Sequence, residues 1–172
     1  LNVFGYTGGF SVYAAAGGAD HVTTVDLAAP ALAMTEGHLA LNGLDVAQHT
    51  GAAQDAFDFL AAAEDSGQTW DLVILDPPSF APNKQATERA GRAYERLIGS
   101  GARVTTRGGL LIAASCSSHI NVEAFMGHCE EGVSAARRTA TVLDVRGQPA
   151  DHPAPLPLRE LRYLKMILMA VR

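Results

Sequence analysis

The chain has 172 residues, a formal net charge of −5 at neutral pH, 48% hydrophobic residues and a mean hydropathy of +0.08. These values are typical of a single globular domain with its own core, and they exclude a disordered chain. No apolar run reaches the roughly 20 residues of a membrane span. The negative charge has the wrong sign for a domain that holds nucleic acid through phosphate contacts alone, so such a partner would need a second point of attachment.

The cysteines and the first residues indicate where the protein works. Cys116 and Cys129 lie at unrelated positions, which favours free thiols in a reducing compartment over a disulfide framework. The chain begins at Leu1, without a start methionine or a signal peptide. We therefore predict a cytoplasmic protein. Residues 1–172 are expected to form one domain, which is a piece of a longer protein.

Short β-rich runs alternate with helical stretches, and this alternation predicts a parallel sheet covered by helices. The predicted strands are Leu1–Phe4, His21–Asp26, Val46–Thr50, Asp71–Leu75, Gly109–Ala114, Thr139–Val145 and Tyr163–Val171. The predicted helices are Gly9–Ala16, the segment from Pro30 to Asn42-Gly43, Ala53–Ala63, Ala86–Val104 and one capped by Asn121. In the last helix an apolar stripe is expected to face the sheet: Val122, Phe125, Met126, Cys129 and Val133.

The end of the chain departs from this alternation. Pro149, Pro153, Pro155 and Pro157 exclude a helix and a central strand from Gly147–Pro157, which predicts a loop. The final strand follows that loop without a helix, so we expect it to run antiparallel to its predecessor. Such an order is that of the class I S-adenosylmethionine (SAM) methyltransferase fold. This fold is a Rossmann-like α/β architecture with a mostly parallel seven-stranded sheet, an antiparallel last strand and helices on both faces.

The turns after the first strands carry a candidate nucleotide site, because ligands of such sheets bind at the carboxyl ends of the strands. Gly5-Tyr6-Thr7-Gly8-Gly9 lets the backbone approach a ligand closely, just before a helix N-terminus. Asp26 follows about 20 residues later, where a carboxylate can accept the hydroxyls of a ribose. Asp55 could accept from an adenine amino group or could simply cap a helix. The spacing does not distinguish NAD from SAM, and the candidate cofactor residues are Phe4, Gly5, Tyr6, Thr7, Gly8, Asp26, Leu27, Asp55, Ala56 and Asp76.

Asp76-Pro77-Pro78-Ser79-Phe80 is the most specific stretch of the sequence. It ends an apolar strand with a carboxylate and with prolines that stiffen the turn. A rigid acceptor of this kind can pair with the polar edge of a flat heterocycle, and Phe80 can stack on its face. Pro77, Pro78 and Phe80 are therefore the predicted substrate-binding residues. A rigid surface turn without a ligand is the alternative.

Cys116 follows the fifth strand, at the same predicted edge of the sheet. A thiolate is a strong nucleophile, although a lone cysteine is more often a packing residue, as we expect for Cys129. Methyl transfer to carbon-5 of a pyrimidine needs such a thiol, because that carbon is a poor nucleophile until a thiolate adds to carbon-6. An exocyclic amine target needs none. We predict Cys116 and Asp76 as the catalytic residues and assign no metal ligands.

Several motifs in this order carry a family resemblance: Leu1–Phe10, Asp26, Asp76–Phe80, Ser115–His119, Asp151-His152-Pro153 and Tyr163-Leu164-Lys165. Together they resemble the bacterial 23S ribosomal RNA cytosine-carbon-5 methyltransferases that carry an N-terminal PUA domain. The resemblance implies that Gly5, Thr7, Gly8 and Asp26 bind SAM. It further implies that Asp76 faces the target base and that Cys116 is the nucleophile. The PUA domain, which would hold most of the RNA, would then lie outside this chain.

The sequence leaves several points open. Pro78 and Ser79 stand where another branch of these enzymes has a second cysteine, so we expect a single-cysteine mechanism. Its general base is not identified, and His119 is one candidate. The alternative functions are an N-methyltransferase acting on a base or a small molecule and a non-catalytic nucleotide-binding module. The expected partner is large-subunit ribosomal RNA, whereas the target nucleotide and the oligomeric state, a homodimer included, stay open.

Overall fold

The computed structural model describes residues 1–81, 84–158 and 161–172. The strands are β1 (Asn2–Val3), β2 (Val22–Asp26), β3 (His49–Ala53), β4 (Trp70–Leu75), β5 (Thr105–Ser115), β6 (Ala140–Arg146) and β7 (Lys165–Val171). The helices are α1 (Gly9–Ala16), α2 (Ala29–Leu41), α3 (Ala56–Ser66), α4 (Thr87–Val104) and α5 (Val122–Ala135). The strands belong to a seven-stranded sheet of order β3-β2-β1-β4-β5-β7-β6. By compactness the chain divides into an N-terminal unit, Leu1–Gln68, and a C-terminal unit, Thr69–Arg172.

In the N-terminal unit β1, β2 and β3 run parallel, as the sequence predicts. Val3 pairs with Val25, so the turn after β1 leaves the sheet beside Asp26, the last residue of β2. Val3, Val25, Leu39 and Leu60 are fully buried and form part of the core of this unit. The strand register therefore brings the glycine turn and Asp26 to one edge.

In the C-terminal unit β4 and β5 run parallel, and β7 lies antiparallel between β5 and β6. Leu75 pairs with Ala113, so the segments that follow β4 and β5 leave the sheet side by side. Ser115, the last residue of β5, pairs with Lys165, the first residue of β7. The predicted antiparallel last strand is confirmed, and its start lies across from the end of β5.

Helices α4 and α5 pack at backbone distance, because glycines stand where the helices approach. A Cβ added at Gly132 of α5 would lie 2.6 Å from the carbonyl oxygen of Glu95 and 3.0 Å from the Cβ of Ile98. A Cβ at Gly99 of α4 would lie 2.9 Å from the carbonyl oxygen of Gly132. Backbone atoms cannot move aside as a flexible side chain can, so this crossing requires glycine.

Most predicted elements are confirmed, with boundaries shifted by a few residues. Helix α1 occupies the predicted Gly9–Ala16, and the side chain of Asn121 caps α5 by accepting from the N–H of Ala124 at 2.8 Å. The loop predicted over Gly147–Pro157 contains neither helix nor strand. Among the described residues, no helix combines the length and the apolar character needed to cross a membrane.

Other details of the prediction are wrong. Val46–Gln48 is a 3-10 turn rather than the start of β3, because the Asp45 side chain accepts from the N–H of Ala47 at 2.9 Å. Strand β5 starts at Thr105, earlier than predicted. Met126 is 39% exposed and does not join the buried stripe of α5, which keeps Phe125, Cys129 and Val133.

The helix crossing makes a prediction about stability. Gly132→Ala should lower the free energy of unfolding by about 1–3 kcal/mol, because the new methyl group overlaps backbone atoms of α4. Gly127→Ala in the same helix is the matched control, since a Cβ there meets no atom within 4 Å. The control should raise the free energy of unfolding by roughly 0.5–1 kcal/mol through helix propensity. Urea unfolding followed by circular dichroism measures both, and equal effects of the two variants would contradict the close packing.

Candidate functional site

The turn after β1 has an unusual backbone. Phe4 has a φ angle of 60°, Tyr6 of 46° and Gly8 of 80°, so left-handed conformations occur at two non-glycine residues of this short turn. Main-chain hydrogen bonds hold it in place: the N–H of Gly5 donates to the Val25 carbonyl at 3.0 Å, and the N–H of Gly8 donates to the Gly5 carbonyl at 2.8 Å. Positive φ values outside glycine are rare and cluster at functional turns.

The glycines of this turn serve different purposes. A Cβ at Gly5 would overlap the side chain of Thr24, and one at Gly8 would overlap Thr35, so packing within the unit already requires glycine at both positions. A Cβ at Gly9 would meet no atom within 4 Å. Helix α1 begins there, and no side chain among the described residues caps its N-terminus. The first N–H groups of a helix have no partner within the helix, so an uncapped N-terminus can bind a carboxylate or another anion.

Asp26 links the glycine turn to the end of β2. Its Oδ2 accepts from the N–H of Tyr6 at 2.8 Å, and its Oδ1 accepts from the N–H of Ala28 at 2.9 Å. A carboxylate has about four acceptor positions, so two hydroxyl groups can still donate to Asp26. The neighbouring Leu27 is exposed. The turn and the carboxylate thus fit a ribose-containing ligand such as SAM.

Asp55 is the N-cap of α3. Its Oδ1 accepts from the N–H groups of Phe57 at 2.8 Å and Asp58 at 3.2 Å, while Ala56 is buried at the first position of the helix. The capping alternative is therefore what the structure shows, and a contact with adenine stays a prediction. A residue that the sequence did not suggest is His38, whose Nδ1 donates to the Thr7 carbonyl at 2.9 Å and anchors the glycine turn to α2.

In the C-terminal unit the structure brings the Asp76-Pro77-Pro78 turn and Cys116 together. The Sγ of Cys116 lies 4.0 Å from the carbonyl oxygen of Pro77. Both segments line one open pocket of about 540 Å³, whose walls are Asp76, Pro77, Pro78, Cys116, Pro149, Asp151, His152, Tyr163 and Leu164. The proline-rich loop thus supplies one wall, and the ends of β4 and β5 supply the other.

A network of hydroxyl groups holds the residues on both sides of Cys116. The Ser115 Oγ donates to the hydroxyl of Tyr94 at 3.0 Å, and the Tyr94 hydroxyl lies 3.0 Å from the Oγ of Ser117. Ser117 also bonds the Oγ of Ser79 at 3.1 Å and accepts from the N–H of Ala81 at 3.3 Å. Ser115, Ser117 and Tyr94 are fully buried, whereas Cys116 is half-buried. The nucleophile candidate therefore sits on a turn that is fixed from both sides.

Phe80 packs inside the unit. Its ring centroid lies 4.9 Å from that of Tyr94 at an interplanar angle of 48°, and Tyr94 in turn meets Phe125 edge-on at 5.1 Å. Phe80 is not among the residues that line the Cys116 pocket. Stacking of Phe80 on a substrate base stays a prediction, because the ring contact that the structure shows for Phe80 is with Tyr94.

Burial shifts the acid–base behaviour of the pocket. It raises the pKa of the Asp76 carboxyl. It also raises the pKa of the Cys116 thiol, and the nearby charge of Asp76 acts in the same direction while that of Lys165 opposes it. Such shifts arise where water is partly excluded, and they occur often at catalytic sites.

Lys165 is the main residue that the sequence analysis did not assign to the site. Its Nζ donates to the carbonyl oxygens of Ser117 at 2.5 Å and Tyr163 at 2.9 Å. Burial lowers the pKa of Lys165 to about 8. Its position at the start of an otherwise apolar strand concealed it, and Tyr94 was concealed by its position within an amphipathic helix. The predicted candidate base His119 is exposed and lies outside the lining of the pocket, whereas His152 belongs to it.

Comparisons with known proteins give a consistent result. Residues 1–157 match the model of a family described as S-adenosylmethionine-dependent methyltransferases. The chain is 41% identical over 98% of its length to a ribosomal RNA large subunit methyltransferase of Deinococcus radiodurans. It is 37% identical over 99% of its length to ribosomal RNA large subunit methyltransferase I of Alteromonas mediterranea. It spans 41% and 43% of these two relatives.

A solved structure agrees with the sequence comparisons. A candidate methyltransferase crystallised in complex with SAH superposes with a TM-score of 0.86 at 35% identity, over 99% of this chain and 44% of that one. The predicted fold class and the predicted cofactor, SAM, are thereby confirmed at the level of the family. The family match covers far more than half of the chain, and the relatives exceed 30% identity. The chain therefore belongs to the S-adenosylmethionine-dependent methyltransferase family.

Proposed function

We propose that this chain carries the transferase centre that methylates carbon-5 of a cytosine in large-subunit ribosomal RNA, with Cys116 as the nucleophile. The observation that supports the proposal most directly is the half-buried thiol in one pocket with the Asp76-Pro77-Pro78 turn. The printed names of the relatives, which are ribosomal RNA large subunit methyltransferases, indicate the class of substrate. The thiol in this position favours a carbon target over a nitrogen target.

The chemistry assigns a step to each side chain. The Cys116 thiolate adds to carbon-6 of the pyrimidine, and the electron pair of the carbon-5–carbon-6 double bond makes carbon-5 nucleophilic. SAM, when bound, supplies an electrophilic methyl group. Once carbon-5 carries this methyl group, it loses its proton to a base, the double bond forms again, and the carbon–sulfur bond breaks to release the Cys116 thiolate.

Asp76 is suited to hold the ring during addition. Burial raises the pKa of its carboxyl, so it keeps a proton to higher pH than an exposed aspartate does. Its carboxylate oxygens can accept from the polar edge of the base, and the prolines that follow keep the carboxylate in place. Pro77 and Pro78 line the same pocket and would flank the base.

We assign cofactor binding to the N-terminal unit. The turn from Phe4 to Gly8 would offer main-chain N–H groups, and Asp26 would accept the ribose hydroxyls beside Leu27. Asp55 and Ala56 would border the adenine. The chain carries a net charge of −5 and spans less than half of its relatives, so we place most of the RNA grip in sequence outside it.

Replacement of the nucleophile tests the reaction. In the complete protein, Cys116→Ala should reduce methyl transfer to unmodified large-subunit RNA to background, because carbon-5 is not activated, while SAM affinity stays unchanged. Cys129→Ala is the matched control, since this second thiol is buried in α5, and it should retain transfer. Transfer is measured with radiolabelled SAM and nucleoside mass spectrometry. Full activity of Cys116→Ala would point to a nitrogen target instead.

The cofactor assignment is tested by calorimetry. Asp26→Asn should weaken SAM binding by about tenfold or more, because it removes a charged acceptor worth roughly 1.5–3 kcal/mol per hydrogen bond. Asp20→Asn is the control, an exposed carboxylate just before the opposite end of β2. The wild-type chain should bind SAM and not NAD. Equal SAM affinities of the two variants would remove Asp26 from the site.

The influence of Asp76 on the thiol has a defined sign. A negative neighbour disfavours the thiolate, so Asp76→Asn should move the pH profile of Cys116 alkylation to lower pH, by about one unit. Iodoacetamide alkylation is carried out from roughly pH 6 to 10, a range that brackets the ordinary pKa of a thiol. Mass spectrometry of the Cys116 peptide then gives the pH midpoint of the reaction. A shift to higher pH would show that Asp76 does not act on the thiol through its charge.

A further inference from the structure

Lys165 is a buried cation beside the reactive turn. Its side chain is 5% exposed, and its residue pairs with Ser115, which directly precedes Cys116. Burial of an ammonium group removes it from water, which costs on the order of several kcal/mol unless hydrogen bonds and an opposite charge compensate for the lost hydration. The burial of Lys165 at the start of β7 therefore lowers the stability of the fold, which suggests that this residue has a functional role.

The partners of Lys165 are main-chain carbonyls. Two of its three N–H groups donate to the oxygens of Ser117 and Tyr163. These residues belong to the turn that carries Cys116 and to the segment that lines the opposite wall of the pocket. Lys165 thus joins the two walls. Within the described part of the chain, no carboxylate forms an ion pair with it.

The charged and titratable groups around Lys165 can be named from each element that surrounds it. At the ends of β4 and β5 are Asp76 and Cys116, and the Tyr94 hydroxyl of α4 bonds both serines that flank the thiol. A further pocket of about 440 Å³ includes Lys165 together with Glu123 of α5, Arg146 of β6 and Arg162. Arg146 is paired with Asp144. Among these groups, Cys116 is the one whose ionised form has an electrostatic effect on the pKa of Lys165.

We propose that Lys165 is the positioning residue of the nucleophile: its ammonium group fixes the turn through the Ser117 carbonyl and stabilises the Cys116 thiolate. The proposal deepens the function proposed above and rests on it for the purpose of the thiolate. It also accounts for the Tyr163-Leu164-Lys165 motif, since Tyr163 supplies the second carbonyl and Lys165 the charge.

The charges act reciprocally. The ammonium lowers the pKa of the Cys116 thiol against burial and Asp76, and the thiolate raises the pKa of Lys165 against burial. Each ion compensates part of the desolvation of the other. The pKa of Lys165 is lowered by burial to about 8 even with this opposing effect of Cys116, so the ammonium form is the major one below that pH.

Thiol alkylation without RNA or SAM tests the proposal. In a Cys129→Ala background, the pH midpoint of iodoacetamide reaction at Cys116 is compared among Lys165, Lys165→Arg and Lys165→Gln. Glutamine can donate to a carbonyl but has no charge, so Lys165→Gln should raise the midpoint by about one unit. Lys165→Arg should keep it close to that of the parent. An unchanged midpoint in Lys165→Gln, with the thermal unfolding curve of the parent, would overturn the proposal.

The coupling can also be measured from the side of Lys165 without replacing this residue. This second measurement tests the proposal even if the Lys165 variants do not fold. Carbon-13 NMR of labelled lysine side chains gives the titration midpoint of Lys165 in the parent and in Cys116→Ser. Loss of the thiolate should lower that midpoint, because coupling between the groups acts in both directions. An equal midpoint in both proteins would overturn the proposal.

These measurements are separate from the test of the reaction. If Cys116→Ala abolishes methyl transfer but the coupling between Lys165 and Cys116 is absent, the nucleophile stands and the role of Lys165 falls. If Cys116→Ala retains transfer, the proposed function falls, whatever the alkylation profile shows.

Discussion

The C-terminal site depends on the hydrogen bonds that the buried hydroxyl of Ser117 makes. This hydroxyl meets the Tyr94 hydroxyl, the Oγ of Ser79 and the N–H of Ala81, and so connects the turn after β5 to α4 and to the segment after β4. A buried polar group that loses its partner costs roughly 1–3 kcal/mol, so the members of such a network hold one another in place. The position of Cys116, one residue away, follows from that network rather than from its own contacts.

The two units handle their polar groups in different ways. In the N-terminal unit Asp26 accepts main-chain N–H groups with both oxygens and keeps acceptor positions for a ligand. The turn that it supports contains the positive φ angles of Phe4 and Tyr6, which the hydrogen bond to Tyr6 helps to maintain. In the C-terminal unit the reactive groups are instead flanked by hydroxyls and carbonyls that are already paired. The first arrangement favours binding, and the second favours a fixed geometry for chemistry.

Partial exclusion of water explains the electrostatics of the pocket. Burial is the largest cause of the pKa shifts in the pocket and beside it: it raises the pKa of Asp76, Cys116 and the neighbouring Tyr94 and lowers the pKa of the neighbouring Lys165. Each shift disfavours the charged form, so charges in this pocket are stable mainly in pairs. A thiolate–ammonium pair satisfies that condition, and the same dryness strengthens the attraction between its members.

The sequence by itself determined the order of the elements, the turns and the chemistry of the candidate residues, because these depend on neighbouring residues. The apolar run within Asp71–Leu75, the cap at Asn121 and the prolines after Gly147 are local signals, and the structure follows them. The strand predicted to begin at Val46 is wrong, because the Asp45 side chain accepts from the N–H of Ala47 and stabilises a turn there. Only the tertiary structure decided which distant side chains meet. Tyr94 and Ser117 lie 23 residues apart and Lys165 and Ser117 lie 48 apart, so strand register and helix packing, which no short motif encodes, bring them together.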